Sequence, residues 1–387
     1  MRHYLDHNAT APIRPEVITA VADAMARDGN SLSVHEEGRR VRKLVEDARE
    51  HVRALVNAPV NGVIFTSGGT ESIHYALHGV MSPHNIKRIF VSSIEHSAVP
   101  ANAQTTGAAV ETIPALSSGI VDLAWLAARL EAYDVTRDGG FLVCLMFANN
   151  ETGVLQPVRE AGDIIHDAGG LLFVDAAQAV GKVPVNFVMS GADMMSFTGH
   201  KFGGPLGVGA LVAGPNLPLE PVMRGGGHEE NRRAGTHNAP AIAGLGVAAA
   251  LAKDSLARAS EIAALRDTMQ DAAMAAGAHV WGAEAARLPG TLCLSAPGFS
   301  GATQMMTMDL AGLAISAGSA CSSGKTKPSH VLTAMGASDD AAGDAIRVSL
   351  GWNSTAADAD AFIREWPAAY ARIKAKSEQK GAAWPSI

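Results

Sequence analysis

Short apolar runs without polar alternation constrain this chain most. GVIFT (62–66), RIFVSS (88–93), FLVCLMFA (141–148), LLFVDAA (171–177) and GALVA (209–213) are such runs. A strand with one wet face alternates. A continuous run is expected where both faces are covered, as in a parallel sheet between helix layers. Helical spacing fills the gaps. Val41, Leu44, Val45, Ala48, Val52 and Leu55 recur on one face of 36–56, and Val158, Ala161, Ile164, Ile165 and Ala168 mark another helix. The chain is therefore expected to be α/β with a mostly parallel central sheet.

Residues 239–275 are alanine-rich and read as helical, leading to a smaller domain with TLCLSAP and AIRVSLG as strands. The expected division is a large domain over 15–255 and a small α+β domain from 1–14 and 256–387. A chain of 387 residues, 47% hydrophobic, can build cores of that size. The net charge is −7 and no basic run stands out, so nucleic-acid binding is not expected. No uninterrupted apolar stretch reaches membrane-spanning length, and MRHYLDHNATAPI carries no leader pattern, so a cytoplasmic protein is expected. Three cysteines make no disulfide framework. Cys144 and Cys293 lie in apolar runs and read as buried strand thiols. Cys321 lies in AGSACSSGKTKPSH, a small, polar stretch, and is a candidate nucleophile.

Chemistry-bearing residues cluster at predicted strand ends, where open α/β sheets bind ligands. SFTGHKFGGPLGVGALV (196–212) sets Lys201 beside Thr198, His200 and a glycine-rich turn. A pyridoxal phosphate enzyme needs such a lysine, because its amine must form a Schiff base with the cofactor aldehyde. Burial beside cationic groups would favour its neutral form. TSGGTES, with Gly69 and Thr70, offers free amides and a hydroxyl to a phosphate, or is an ordinary strand–helix turn. His96, in EHSAV, can stack on a cofactor ring and carry protons, or be structural. Asp175 ends LLFV, where a carboxylate needs a cation such as a pyridinium nitrogen; the alternative is a helix cap. Gln178, expected on the same helical face, could donate to the ring hydroxyl. Asn150 follows a buried strand and could bond the cofactor. Arg347 could clamp an amino-acid carboxylate or serve in a salt bridge.

In this order, YLDHNAT, TSGGTES, EHSAV, ANNETGVLQP, DAAQAVGK, SFTGHKFGGPLGVGAL, GGGHEENRRAGTHN, SAGSACSSGKTKPSHVL and RVSLGWN resemble the cysteine desulfurases of the NifS/IscS type. The resemblance runs from residue 4 to about 353. It implies a fold-type-I pyridoxal phosphate enzyme acting as a homodimer on L-cysteine. Lys201 falls at the Schiff-base lysine, His96 at the ring-stacking histidine, Asp175 at the pyridinium partner and Gln178 at the ring-hydroxyl partner. Gly69, Thr70, Thr198 and His200 fall at the phosphate, and Asn150 at a further cofactor and substrate contact. Thr236 falls where the family reaches the other subunit's phosphate, and Arg347 at the substrate carboxylate. Cys321 falls at the nucleophile that takes up sulfur as a persulfide, leaving alanine, and its long loop is like group I members. The implied acceptors are proteins such as iron–sulfur scaffolds. Departures are His7, GNSLSVH without its proline, His228 and Trp352. Selenocysteine lysis, transamination and a non-catalytic sulfur carrier are the competing readings.

Overall fold

The computed structural model describes residues 2–317 and 328–379. Its main sheet contains β1 (Val63–Thr66), β2 (Ile86–Ser92), β3 (Ala109–Ile113), β4 (Gly140–Met146), β5 (Leu171–Asp175), β6 (Met194–Thr198) and β7 (Gly209–Ala213). The order across the sheet is β1-β7-β6-β5-β4-β2-β3. Only β7 runs against its neighbours; the other pairs are parallel. The expected apolar runs are all strands, and β4 to β7 are buried along almost their whole length, which removes any need to alternate. The edge strand β3, AVETI, is largely exposed and carries no such signal.

Helices cover both faces. They include α1 (Pro15–Met25), α2 (Glu36–Val56), α3 (Gly69–Gly79), α4 (Ala98–Thr105), α5 (Val158–Asp167), α6 (Ala239–Ala257) and α7 (Ala259–Ala275). Val45, Ala48 and Val52, read as the face of α2, are buried in the core with Val17 of α1 and Leu245 of α6. The alanine-rich stretch is two helices, broken at Arg258, whose guanidinium donates to the carbonyl of Ser354 (3.0 Å). By length and composition alone α6 could cross a membrane. Here its Ile242, Leu245, Ala248 and Ala249 belong to the core, and it packs against α1 and α2.

A second core gathers Leu5 with residues from Ile262 to Tyr370. It sits on antiparallel strands β8 (His279–Val280), β9 (Thr291–Ser295), β10 (Ser316–Ala317) and β11 (Ala345–Ser349), in the order β10-β11-β9-β8. Helix α8 (Ala356–Gln379) closes it, with the rings of Phe362, Trp366 and Tyr370 in contact along one face. The N-terminal segment joins the two cores. His3–Tyr4 pairs with Leu313–Ala314, Asp6 bridges to Ser349, and the amide of Ala11 donates to the carbonyl of His200 (2.8 Å).

Candidate active site

Sheet register decides which side chains meet. Met146, Asp175 and Ser196 lie side by side on β4, β5 and β6, while Thr66 and Thr198 flank Gly209. The carboxyl ends of these parallel strands therefore share one edge of the sheet, where ligands of such folds bind.

The turn after β1 is shaped for an anion. Gly68 has φ 155°, a conformation that L side chains rarely adopt, and a Cβ there would meet nothing within 4 Å. Helix α3 starts at Gly69 with no side-chain cap, so its first amides stay available and its dipole points its positive end outward. Thr198 lies 4.0 Å from the Cβ position of Gly69, and Thr70 is exposed on the first turn. The Thr66 and Ser72 hydroxyls, 2.7 Å apart, brace the turn from below.

Asp175 is buried at the end of β5 and its Oδ1 accepts the amide of Ala177 (2.9 Å). Burial raises its pKa, and the nearby His96 and Lys201 oppose that rise. Among the described residues no cation lies within ion-pair distance of it. His96, at the start of the α4 turn, accepts the amide of Ala98 at Nδ1 (3.2 Å), which leaves the ring proton on Nε2. Burial lowers the His96 pKa, so the ring favours its neutral form. Residues 177–182 form tight turns rather than the expected helix, so Asp175 and Gln178 share no helical face. The chain must turn at once after β5 because Val183 and Val185 pack back on the same core.

Lys201 sits on the short turn after β6. Its Nζ donates to the carbonyls of Asn8 (2.6 Å) and Ala9 (3.0 Å). His200 Nδ1 and the Thr10 hydroxyl lie 3.2 Å apart, and burial beside Lys201 and Lys182 pushes the His200 pKa down to about 4. Asn8 is the hub. Its carbonyl also accepts Gln178 Nε2 (2.9 Å), its Oδ1 accepts Lys182 Nζ (2.8 Å), and its Nδ2 donates to Thr291 Oγ1 (3.0 Å). Neither Asn8 nor Lys182 stands out in the sequence. Each is one polar residue in a motif, and the contact spans 174 residues.

Arg347, on β11, is buried and donates to the carbonyl of Asn150 (3.0 Å) and to Asp6 Oδ1 (2.8 Å). The salt-bridge alternative is thus present. Its Nε has no hydrogen-bond partner among the described residues, and neither has the buried Asn150 Oδ1. Both are open positions on the Asn8 side of the site. Cys144 and Cys293 are fully enclosed, and burial raises both thiol pKa values.

The departures from the family pattern have structural places. Trp352 donates from its indole to the carbonyl of Pro12 (2.8 Å), under the Arg14 guanidinium at 4.6 Å. With His7, Asn8, Lys182 and Lys201 it lines a cavity of about 40 Å³, too small for a cofactor. His7 lies so close to Gly351 that a Cβ there would be 2.0 Å from its Nδ1, a nitrogen without a hydrogen-bond partner among the described residues. Burial, helped by Lys182, pushes the His7 pKa down to about 3. The unfolded chain therefore takes up this proton first, near pH 6.5, and stability falls as pH drops from there towards 3. That slope approaches about 1.4 kcal/mol per pH unit. In His7→Asn, denaturation midpoints measured across this range should decline less steeply than in the wild type; parallel curves would contradict the assignment.

One expected residue does not join this group. Thr236 is exposed on the loop before α6, next to Arg233, whose guanidinium pairs with Glu71 of α3 (2.8 Å). That loop and GNSLSVH form a separate cluster. Ser31 Oγ lies 2.9 Å from His237 Nδ1, and the buried Glu229 binds His237 (2.6 Å) and Arg49 (2.8 Å). His228 packs edge-on against His237. Cys321 lies outside the described residues.

Residues 3–362 match the class-V aminotransferase family. The chain belongs to that family. This class-V aminotransferase family member is 38% identical to an IscS-like cysteine desulfurase of Mycobacterium tuberculosis (strain ATCC 25618 / H37Rv), over 96% of this chain and 97% of the relative. A cysteine desulfurase of Cereibacter sphaeroides is also 38% identical, over 97% of each chain. Among solved structures, a NifS-like protein from Rickettsia africae ESF-5 superposes with TM-score 0.88 at 30% identity, covering 96% of this chain and 100% of that one.

Proposed function

We infer that the protein is a pyridoxal phosphate-dependent cysteine desulfurase, converting L-cysteine to L-alanine with transfer of the sulfur to a cysteine thiol. The observation that carries this is the meeting of Lys201, Asp175 and His96 at one sheet edge, in a chain matched along nearly its full length to relatives of that name. The residues fit the cofactor. Asp175 is a buried carboxyl wanting a cation, the α3 start is an uncapped amide cradle beside Thr198, and Asn150 keeps an oxygen with no partner among the described residues.

Bound there, pyridoxal phosphate supplies an aldehyde that captures the substrate amine and a charged ring that draws electrons from its α-carbon. Lys201 would hold the aldehyde at rest and then take the α-proton on Nζ. Asp175 would keep the ring nitrogen protonated, Gln178 would donate to the ring oxygen, and His96 would cover the ring and pass a proton through Nε2. Gly69, Thr70, Thr198 and His200 would hold the phosphate. Arg347 Nε supports a place for the substrate carboxylate, and Cys321 would receive the sulfur. We further propose a homodimer in which Thr236 serves the partner's phosphate, a cytoplasmic location, and delivery to a protein acceptor such as an iron–sulfur scaffold. The separate core around Leu5 and residues 262–370 supports the division into 15–255 and 1–14 with 256–387.

Incubation with L-cysteine should yield alanine and, with a reductant, sulfide in equal amounts. Without reductant, peptide mapping should find the extra sulfur on the peptide bearing Cys321, not on the enclosed Cys144 or Cys293. 3-Mercaptopyruvate in place of alanine and sulfide would favour transamination, and turnover of selenocysteine alone would favour a selenocysteine lyase.

A further inference from the structure

Lys182 is half-buried and has two acceptors, Asn8 Oδ1 at 2.8 Å and Gln178 Oε1 at 2.6 Å. The ammonium of lysine only donates. Its position therefore fixes which end of each amide faces it: Gln178 must turn its oxygen to Lys182 and its NH2 group away. That NH2 donates one hydrogen to the carbonyl of Asn8 (2.9 Å) and keeps a second. Asn8 is set likewise, with Nδ2 turned to Thr291 Oγ1 (3.0 Å) and the carbonyl of Asn150 (3.3 Å). The constraint belongs to the ammonium form, since a neutral amine could also accept. Burial, with Lys201 and Arg347 nearby and only Asp6 opposing, depresses its pKa.

We propose that Lys182 is a positioning residue that sets the donor sense of Gln178 and Asn8, so that the amide of Gln178 presents hydrogens, not oxygen, to the cofactor. This rests on the desulfurase reading. Without Lys182 only the carbonyl of Asn8 still holds the NH2 of Gln178, and a flip of that amide would turn its oxygen towards the ring oxygen. Lys182 thus acts through Gln178, and its effect should vanish once Gln178 is gone.

The test is a double-mutant cycle read by visible absorbance of the holoenzyme against pH, not by turnover. Other titrating or charged groups around Lys182 are Lys201, Arg347, Asp6, His7 and His200, and all stay in place in every arm. Lys182→Met should move the midpoint of the absorbance change upward by about one pH unit in the wild-type background. In Gln178→Ala it should move it by much less, because there is no amide left to orient. An equal shift in both backgrounds, or none in either, would overturn the proposal; the former would make Lys182 a bare charge. Should Lys182→Met not fold, Lys182→Gln takes its place, since its amide can give or accept and no longer fixes a sense. An unmodified chain that binds no yellow cofactor would instead defeat the desulfurase reading itself.

Discussion

Lys201→Ala is expected to give a protein that loses its yellow colour on dialysis and turns over L-cysteine about a thousandfold more slowly, or worse. The variant loses both the amine that anchors the cofactor and the base that takes the α-proton, and general-base catalysis alone is worth about 10²–10⁴. Folding should suffer little. Lys201 Nζ gives hydrogen bonds to the carbonyls of Asn8 and Ala9, and Asn8 keeps its second donor, Gln178 Nε2. The loss is about 1–2 kcal/mol. Borohydride reduction of the wild-type holoenzyme, followed by peptide mapping, separates this assignment from its nearest rival. Lys182 is the other amine on Asn8. Label on the Lys182 peptide would move the anchor one turn away and sink the assignment of Lys201.

That rival shows where the sequence was legible. β1, β5 and β6 announce themselves as continuous apolar runs because both faces are covered, and the motifs that end them point to the turn at Gly69, Asp175 and Lys201. β3 is silent, being an exposed edge. The turns after Asp175 were hidden as well, since DAAQAVGK has the composition of a helix and only packing against the core bends it. Asn8 and Lys182 are invisible for another reason. Their roles exist only in a contact between the N-terminal segment and the turn after β5, and composition carries no trace of such a pairing.

Asp175→Asn should lower kcat by about 100- to 1,000-fold, the scale of removing one preorganised electrostatic partner, while the cofactor stays attached to Lys201. The carboxyl lies buried against β6, with one backbone donor from Ala177, and burial raises its pKa. Burial, with Asp175 nearby, pushes the pKa of the neighbouring Glu95 well up. Such a group is costly to keep ionised unless a cation faces it. Asparagine keeps the shape and can still accept the amide of Ala177, but it cannot hold a ring nitrogen protonated. A structural role predicts that activity and stability fall together. An electrostatic role predicts that they separate: the cofactor-free variant should melt no lower than the cofactor-free wild type, because a disfavoured buried charge has been removed. Wild-type kcat in Asp175→Asn would remove the carboxylate from the chemistry, and a matched fall in melting temperature and rate would reduce it to a packing residue.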